Sequence, residues 1–205
     1  MEFNKKEHWE KAFSTKAETE VSWYQQKPET SIKFFTENNI PKDAKILDIG
    51  GGDSYLIDYL LELGYENLTL LDISENAIER IKKRLGNKAQ KVNFVVSDIL
   101  DFLSNIKFDV IHDRASFHFI TNADDQFKYR NLISQILAPN GLFFVGTFSE
   151  SGPLKCSGLD ITQYSEEKFE HLFSENFEKI KFFAEDHQTP FNTVQNFIFC
   201  TFKKR

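Results

Sequence analysis

A chain of 205 residues is long enough to bury one substantial core and short for two, so a single domain spanning 1–205 is expected. A formal net charge of -6 argues against a polyphosphate partner, because affinity for nucleic acid depends on a surplus of Lys and Arg over one face. The opening Met1-Glu2-Phe3-Asn4-Lys5-Lys6-Glu7-His8 has no apolar run behind its charges, and no stretch nears the roughly 18 apolar residues of a membrane span. A cytoplasmic, unexported chain with no membrane partner is therefore expected.

In chain order, Lys5 to Lys16 and Glu29 to Asn39 read as helices, with Pro28 at a favoured first-turn position of the second. Residues 1–41 are expected to form an amino-terminal helical lid over a core of residues 42–205. From Ala44 to Phe148, short β-rich runs alternate with segments of helical period, the pattern of a doubly wound α/β fold with helices on both faces of a mostly parallel sheet. Strands are expected at Lys45 to Ile49, Leu68 to Ile73, Val92 to Ser97, Phe108 to Asp113 and Leu142 to Phe148. Between them Leu56, Leu60 and Leu63 keep helical spacing, then Ile78, Ile81 and Leu85, then Leu132, Ile136 and Leu137 before the Pro139-Asn140-Gly141 stop. Ser74 is a helix-start signal, able to accept from an orphan amide of the following helix. The tail changes character: Phe177 to Ala184 and Val194 to Phe202 are β-rich with no helix between them, so they should close the sheet as an antiparallel hairpin.

The segment Lys45-Ile46-Leu47-Asp48-Ile49-Gly50-Gly51-Gly52-Asp53-Ser54-Tyr55 runs a buried strand into three glycines and a helix. Adjacent glycines let the backbone turn tightly and approach a ligand without Cβ clashes; the plainer alternative is an ordinary glycine turn. A dinucleotide fingerprint would place Gly at the sixth position from Gly50, where Tyr55 stands, and the flanking carboxylates Asp48 and Asp53 are poor company for a pyrophosphate. S-adenosylmethionine matches the sign pattern better. It offers a sulfonium and an ammonium to carboxylates, and its own carboxylate to amides at the helix start. Asp72, at the end of the second strand, sits where doubly wound folds place an acid for both ribose hydroxyls, or is a turn residue before a helix. Asp98 ends the third strand within reach of an adenine amino group, with Ile73 and Ile99 sandwiching the ring.

These residues resemble the class I, Rossmann-like, seven-stranded S-adenosylmethionine-dependent methyltransferases. Asp48-x-Gly50-x-Gly52 resembles the family's first motif, Asp72 its ribose acid, Asp98 its adenine-side acid, and the closing hairpin its sixth and seventh strands. Where the family often carries a third Gly, this chain has Ser54. His8-Trp9 with Val21-Ser22-Trp23-Tyr24, the His112-Asp113-Arg114 block and Cys156-Ser157-Gly158-Leu159 further resemble an uncharacterised bacterial branch, related to protein-lysine methyltransferases. The resemblance implies S-adenosylmethionine as cofactor and S-adenosylhomocysteine as product.

Methyl transfer is an in-line displacement at an activated carbon, so alignment and water exclusion matter most and a general base is optional. The place to look is after the fourth strand, in Ile111-His112-Asp113-Arg114-Ala115-Ser116-Phe117-His118-Phe119. His118 is the first choice of base, since imidazole titrates near neutral pH, with a core histidine the plainer alternative. Asp113 and Arg114 form a structural pair, or else Arg114 receives an anionic group of the substrate. His112 reads as structural. Cys156 and His187 fall in long connections that could line the acceptor pocket. A metal site built from His112, His118, Cys156 and His187 lacks characteristic spacing, and none is expected. Trp9, Trp23 and Tyr24 either close over the cofactor, where aromatic faces suit a sulfonium, or anchor the first helices. Three functions follow: transfer to a small acceptor (thiol, amine or carboxylate), transfer to a protein lysine, and a cofactor-binding module without catalysis.

Overall fold

The computed structural model describes residues 4–205. Asn4 starts α1 (Lys5–Thr15) by accepting the Glu7 amide, and α2 (Glu29–Glu37) starts immediately after Pro28, which precedes the helix instead of standing in its first turn. Five parallel strands follow, β1 (Lys45–Ile49), β2 (Asn67–Asp72), β3 (Val92–Val96), β4 (Phe108–Arg114) and β5 (Leu137–Phe148). They are joined through α3 (Leu56–Glu62), α4 (Glu75–Leu85) and α5 (Ala123–Ile136), whereas β3 passes to β4 through a single 3-10 turn at Ile99–Asp101. The two-residue strands β6 (Lys155–Cys156) and β7 (Leu159–Asp160) make a small hairpin. The chain ends with α6 (Glu166–Phe173), β8 (Phe177–Gln188) and β9 (Val194–Lys204). The seven-stranded sheet has the order β3-β2-β1-β4-β5-β9-β8, and β9 runs antiparallel to both neighbours.

Both faces of this sheet are covered, which is why β1 is apolar at Ile46, Leu47 and Ile49 without alternation. The surplus of 22 Phe is divided between the two faces. Phe143, Phe169, Phe173 and Phe202 pack with α5 and α6 on one side; Phe34, Phe35, Phe144 and Phe199 pack with α2 on the other. Neighbouring Phe143 and Phe144 thus serve opposite cores, as a two-residue period requires.

Several elements depart from the expected ones. α6 was not anticipated: Ser165 accepts the Lys168 amide, and Phe169, Leu172 and Phe173 bury one face of a helix only eight residues long. Strand β5 begins five residues before Leu142, because Leu137 already pairs with Phe108 across a register shift, and Asn140, at φ 60°, absorbs the turn inside the strand. His187, expected in a connection, lies in β8, since both hairpin strands extend past their apolar runs.

The order reverses between β1 and β4. Chain from β1 leaves through α3 toward β2, and chain from β4 leaves through α5 toward β5, opening a crevice at their carboxyl ends.

Candidate active site

At the end of β1, Gly50 and Gly52 adopt φ of +61° and +53°, a conformation that L side chains rarely adopt. A Cβ at Gly50 would lie 2.5 Å from the Ser116 Cβ, and one at Gly51 would lie 2.8 Å from Asp48 Oδ2, so the loop has to be bare backbone. The Gly50 amide donates to the Leu71 carbonyl (2.8 Å) and the Gly52 amide to Asp72 Oδ2 (2.8 Å). Those two amides are therefore spent within the chain, and the loop offers a ligand clearance at these positions in place of hydrogen bonds.

The carboxylates around the loop carry different commitments. Asp48, 2% exposed, accepts from His112 Nδ1 at 2.7 Å, and the other ring nitrogen of His112 shares a hydrogen bond with the Ser31 hydroxyl at 2.8 Å. Its second oxygen is buried without a partner, beside Gly51 and the Leu70 side chain. Asp53 is paired with Arg80 at 3.0 Å through one oxygen, so of the two carboxylates flanking the loop Asp48 keeps the buried oxygen without a partner. Asp72 accepts the amides of Gly52 and Ser74, each at 2.8 Å, and burial pushes its carboxyl up to about 6 against the pull of those two amides. Asp98 accepts the Leu100 amide at 3.0 Å and meets Lys5 Nζ at 3.8 Å.

One cavity occupies the crevice, and Asp48, Gly50, Gly51, Gly52, Asp72, Ile73, Asp98 and Ile99 all line it. Residues 4–41 supply the opposite wall, with Lys5, Trp9, Phe13, Trp23, Tyr24 and Ser31. The amino-terminal segment is latched there by contacts no local pattern announces. Glu10 accepts the Glu75 amide (2.8 Å), the Asn76 amide (3.1 Å) and the Ser74 hydroxyl (2.9 Å), capping α4 from another helix. Glu18 accepts from the Tyr55 hydroxyl at 2.7 Å and meets Arg84 at 3.3 Å.

The residues after β4 part company. Asp113 and Arg114 do not pair, because adjacent strand residues face opposite sides of the sheet. Asp113, fully buried, accepts from the Tyr129 hydroxyl (2.7 Å) and the amides of Ser116 (3.1 Å) and Phe117 (3.0 Å); burial lifts it to about 6. Arg114, Ser116, Phe119, Phe148, Cys156 and Phe197 line the cavity as well; Asp113, His118 and His187 do not. His118 is wholly buried behind Phe148, with ring centroids 4.6 Å apart, and burial lowers its pKa to about 3. His187 donates from Nε2 to the Ser22 carbonyl at 2.8 Å, and burial lowers its pKa as well. Cys156, expected in a loop, belongs to β6, and burial pushes its thiol up to about 11. Among the described residues no three of His, Cys, Asp or Glu gather as a metal-binding group. Sequence reasoning missed Ser31, Tyr129 and Glu10, whose partners lie 81, 16 and 64 to 66 residues away.

The methyltransferase domain family is matched by residues 40–198. The chain belongs to this family. It is 29% identical over 155 residues, 68% of its length, to EEF1A lysine methyltransferase 2 of Danio rerio. It is 29% identical over 142 residues, also 68% of its length, to the eEF1A lysine and N-terminal methyltransferase of Mus musculus. A third relative, malonyl-[acyl-carrier protein] O-methyltransferase 2 of Ilyobacter polytropus, is 32% identical over 106 residues, 51% of the chain. The chain spans 66%, 20% and 39% of these proteins' lengths. The expected bacterial branch finds no support in them, since the lysine methyltransferases among them come from animals.

Solved structures carry the same fold as this methyltransferase domain. The N-methyltransferase NodS of Bradyrhizobium japonicum, in complex with S-adenosyl-L-homocysteine, superposes with a TM-score of 0.75 at 14% identity, over 96% of this chain and 98% of that one. A SAM-dependent methyltransferase of Anabaena variabilis gives 0.77 at 15%, over 100% and 96%. The cavity suits S-adenosylmethionine on three observations: a cradle that any Cβ would fill, a buried unpartnered oxygen on Asp48, and an Asp72 carboxylate with lone pairs to spare. No helix among the described residues is long and apolar enough to cross a membrane.

Proposed function

We propose that this methyltransferase domain transfers the methyl group of S-adenosylmethionine to a small acceptor enclosed between residues 4–41 and the sheet. The observation that carries this reading is the shape of the cavity, which runs from Asp98 and Ile99 past the glycines to Cys156 and Phe197 beneath Trp9 and Trp23. When bound, the cofactor supplies a methyl carbon already activated by a sulfonium. Asp72 takes the ribose hydroxyls, Ile73 and Ile99 hold the adenine between them, and Asp98 receives its amino group. Asp48 keeps one oxygen for positive charge at the loop, while His112 and Ser31 fix its orientation. Trp23, Phe119, Phe148 and Phe197 exclude water from the acceptor end, where alignment does most of the work.

In this reading proton removal is not a service the cavity offers. His118 is walled off and neutral, His187 spends its Nε2 proton on Ser22, and Asp113 is committed to Tyr129. The acceptor therefore arrives with its lone pair free. Transfer to a protein lysine is the second reading, favoured by the names of two relatives and by the net charge of -6, which suits a basic target. Label transfer from methyl-labelled S-adenosylmethionine to thiols, amines, carboxylates and lysate proteins separates the two. Label on small molecules alone is expected; label confined to protein lysines would replace this reading with the second, and no label anywhere would leave a binding module.

A further inference from the structure

Burying a guanidinium is costly unless a carboxylate compensates it, and this chain follows that rule with one exception. Arg80 meets Asp53 at 3.0 Å, Arg84 meets Asp58 at 2.8 Å, and Arg130 meets Glu175 at 2.8 Å. Arg114, at the carboxyl end of β4, has no carboxylate within 4.0 Å among the described residues. Its Nη1 makes one long bond of 3.4 Å to the Trp23 carbonyl, its guanidinium lies 4.9 Å over the Phe197 ring, and its Nε is buried with no partner. Glu185 on β8 is the carboxylate whose field reaches it, and that group accepts from the Thr30 hydroxyl at 2.5 Å. The other titratable groups facing Arg114 are Cys156, His118 and His187, none of them a carboxylate. The guanidinium lines the acceptor end of the cavity, beside an apolar wall of Trp23, Phe148 and Phe197.

We propose that Arg114 is an anion subsite, and that the acceptor is a small molecule joining a carboxylate to an apolar body. The proposal rests on the small-acceptor reading and deepens it. Arg114 anchors the carboxylate through Nη2, which no group of the described residues engages, leaving the acceptor's nucleophilic atom turned toward the glycine loop. With the cofactor bound, that atom's lone pair would form the bond to the methyl carbon as the carbon–sulfur bond breaks with its electron pair kept by sulfur, any proton on the acceptor atom would pass to solvent, and Arg114 would neither give nor take one. Even with burial lowering its pKa to about 10, Arg114 is charged at neutral pH, so a lysine ammonium brought to the same wall would be repelled.

The chain's 2 tryptophans, Trp9 and Trp23, both line this cavity, so their fluorescence reports on its contents. Protein loaded with S-adenosylhomocysteine is titrated with phenylacetate, with its uncharged isostere phenylacetamide, and with phenethylamine. Phenylacetate should bind at least about 10-fold more tightly than either, and Arg114→Gln should abolish that preference while Arg114→Lys keeps part of it. Affinity for S-adenosylhomocysteine should be unchanged in both variants, which also shows that they fold. Equal binding of the three probes, or none, overturns the proposal. So does an Arg114→Gln variant that keeps the far-ultraviolet circular dichroism and melting temperature of the wild type yet loses S-adenosylhomocysteine, because the anion served would then be the cofactor's own carboxylate. Failure of the small-acceptor reading is a separate result, label on protein lysines in the transfer experiment.

Discussion

Asp72 carries opposite obligations in the free and loaded protein. Its carboxyl is lifted by burial from 3.8 to about 6, as is that of Asp113, so the folded chain holds both protons more tightly than the unfolded chain does. Stability from this source is fully present below pH 3.8 and is lost as pH rises through about 6, by up to about 3 kcal/mol for each carboxyl. Ribose hydroxyls donate to the ionised form, so the affinity for S-adenosylhomocysteine should fall as pH drops below about 6. Asp72→Asn should weaken binding by roughly 1–3 kcal/mol at pH near 7.5 and flatten its pH dependence in calorimetry. It should also shrink the loss of urea resistance between pH 4 and 6.5 relative to wild type. Identical pH slopes in the two proteins would take the ribose contact away from Asp72.

At the scale of elements, the junction of α1 with α4 decides whether the cavity has a second wall. Burial alone would raise the Glu10 carboxyl, but the amides of Asn76 and Glu75 and the Ser74 hydroxyl outweigh it and hold the group below its usual range. A carboxylate at a helix start also meets the positive end of the helix dipole. Glu10→Gln keeps the shape and removes the charge, and should cost about 0.5–2 kcal/mol of stability, the range of a lost cap. Hydrogen exchange of α1 and of the Glu75 and Asn76 amides should quicken. Cofactor affinity should fall with it, because Phe13 of α1 stands 3.1 Å from where a Gly52 Cβ would be. Unaltered exchange in α1 would mean that the aromatic contacts of Trp9 and Phe13 with Trp23 hold the helix without the latch.

For the whole molecule, the cavity is an interface between residues 4–41 and the sheet, so a ligand there ties the two together. S-adenosylhomocysteine at about 100 times its dissociation constant should add about 2.7 kcal/mol and raise the melting temperature by roughly 5–10 °C. NAD should leave it unchanged, since Tyr55 occupies the position where a dinucleotide loop packs its third glycine. Protection should spread beyond the glycine loop to α1 and to residues 17–25. A rise confined to the sheet, with the amino-terminal segment exchanging as before, would mean that the segment is not a working wall of the site.

Features written in a short window were legible before any fold was known. Five parallel strands, the closing hairpin, the glycine turn after β1, the acid ending β2 and the one just past β3 all follow from periodicity, strand length and backbone freedom. A small error came from the same source: Pro139-Asn140-Gly141 is a turn by local chemistry, and only pairing of Leu137 with Phe108 turns it into the bulged start of β5. Which polar groups are free is a different kind of fact. Asp48 and Asp53 look alike in sequence, yet one keeps a bare oxygen and the other is spent on Arg80. His118 and Arg114 stand four residues apart, and one is sealed behind Phe148 while the other opens on the cavity without a counter-charge. Their chemistry depends on desolvation and on partners 27 to 91 residues distant, and tertiary packing alone sets both.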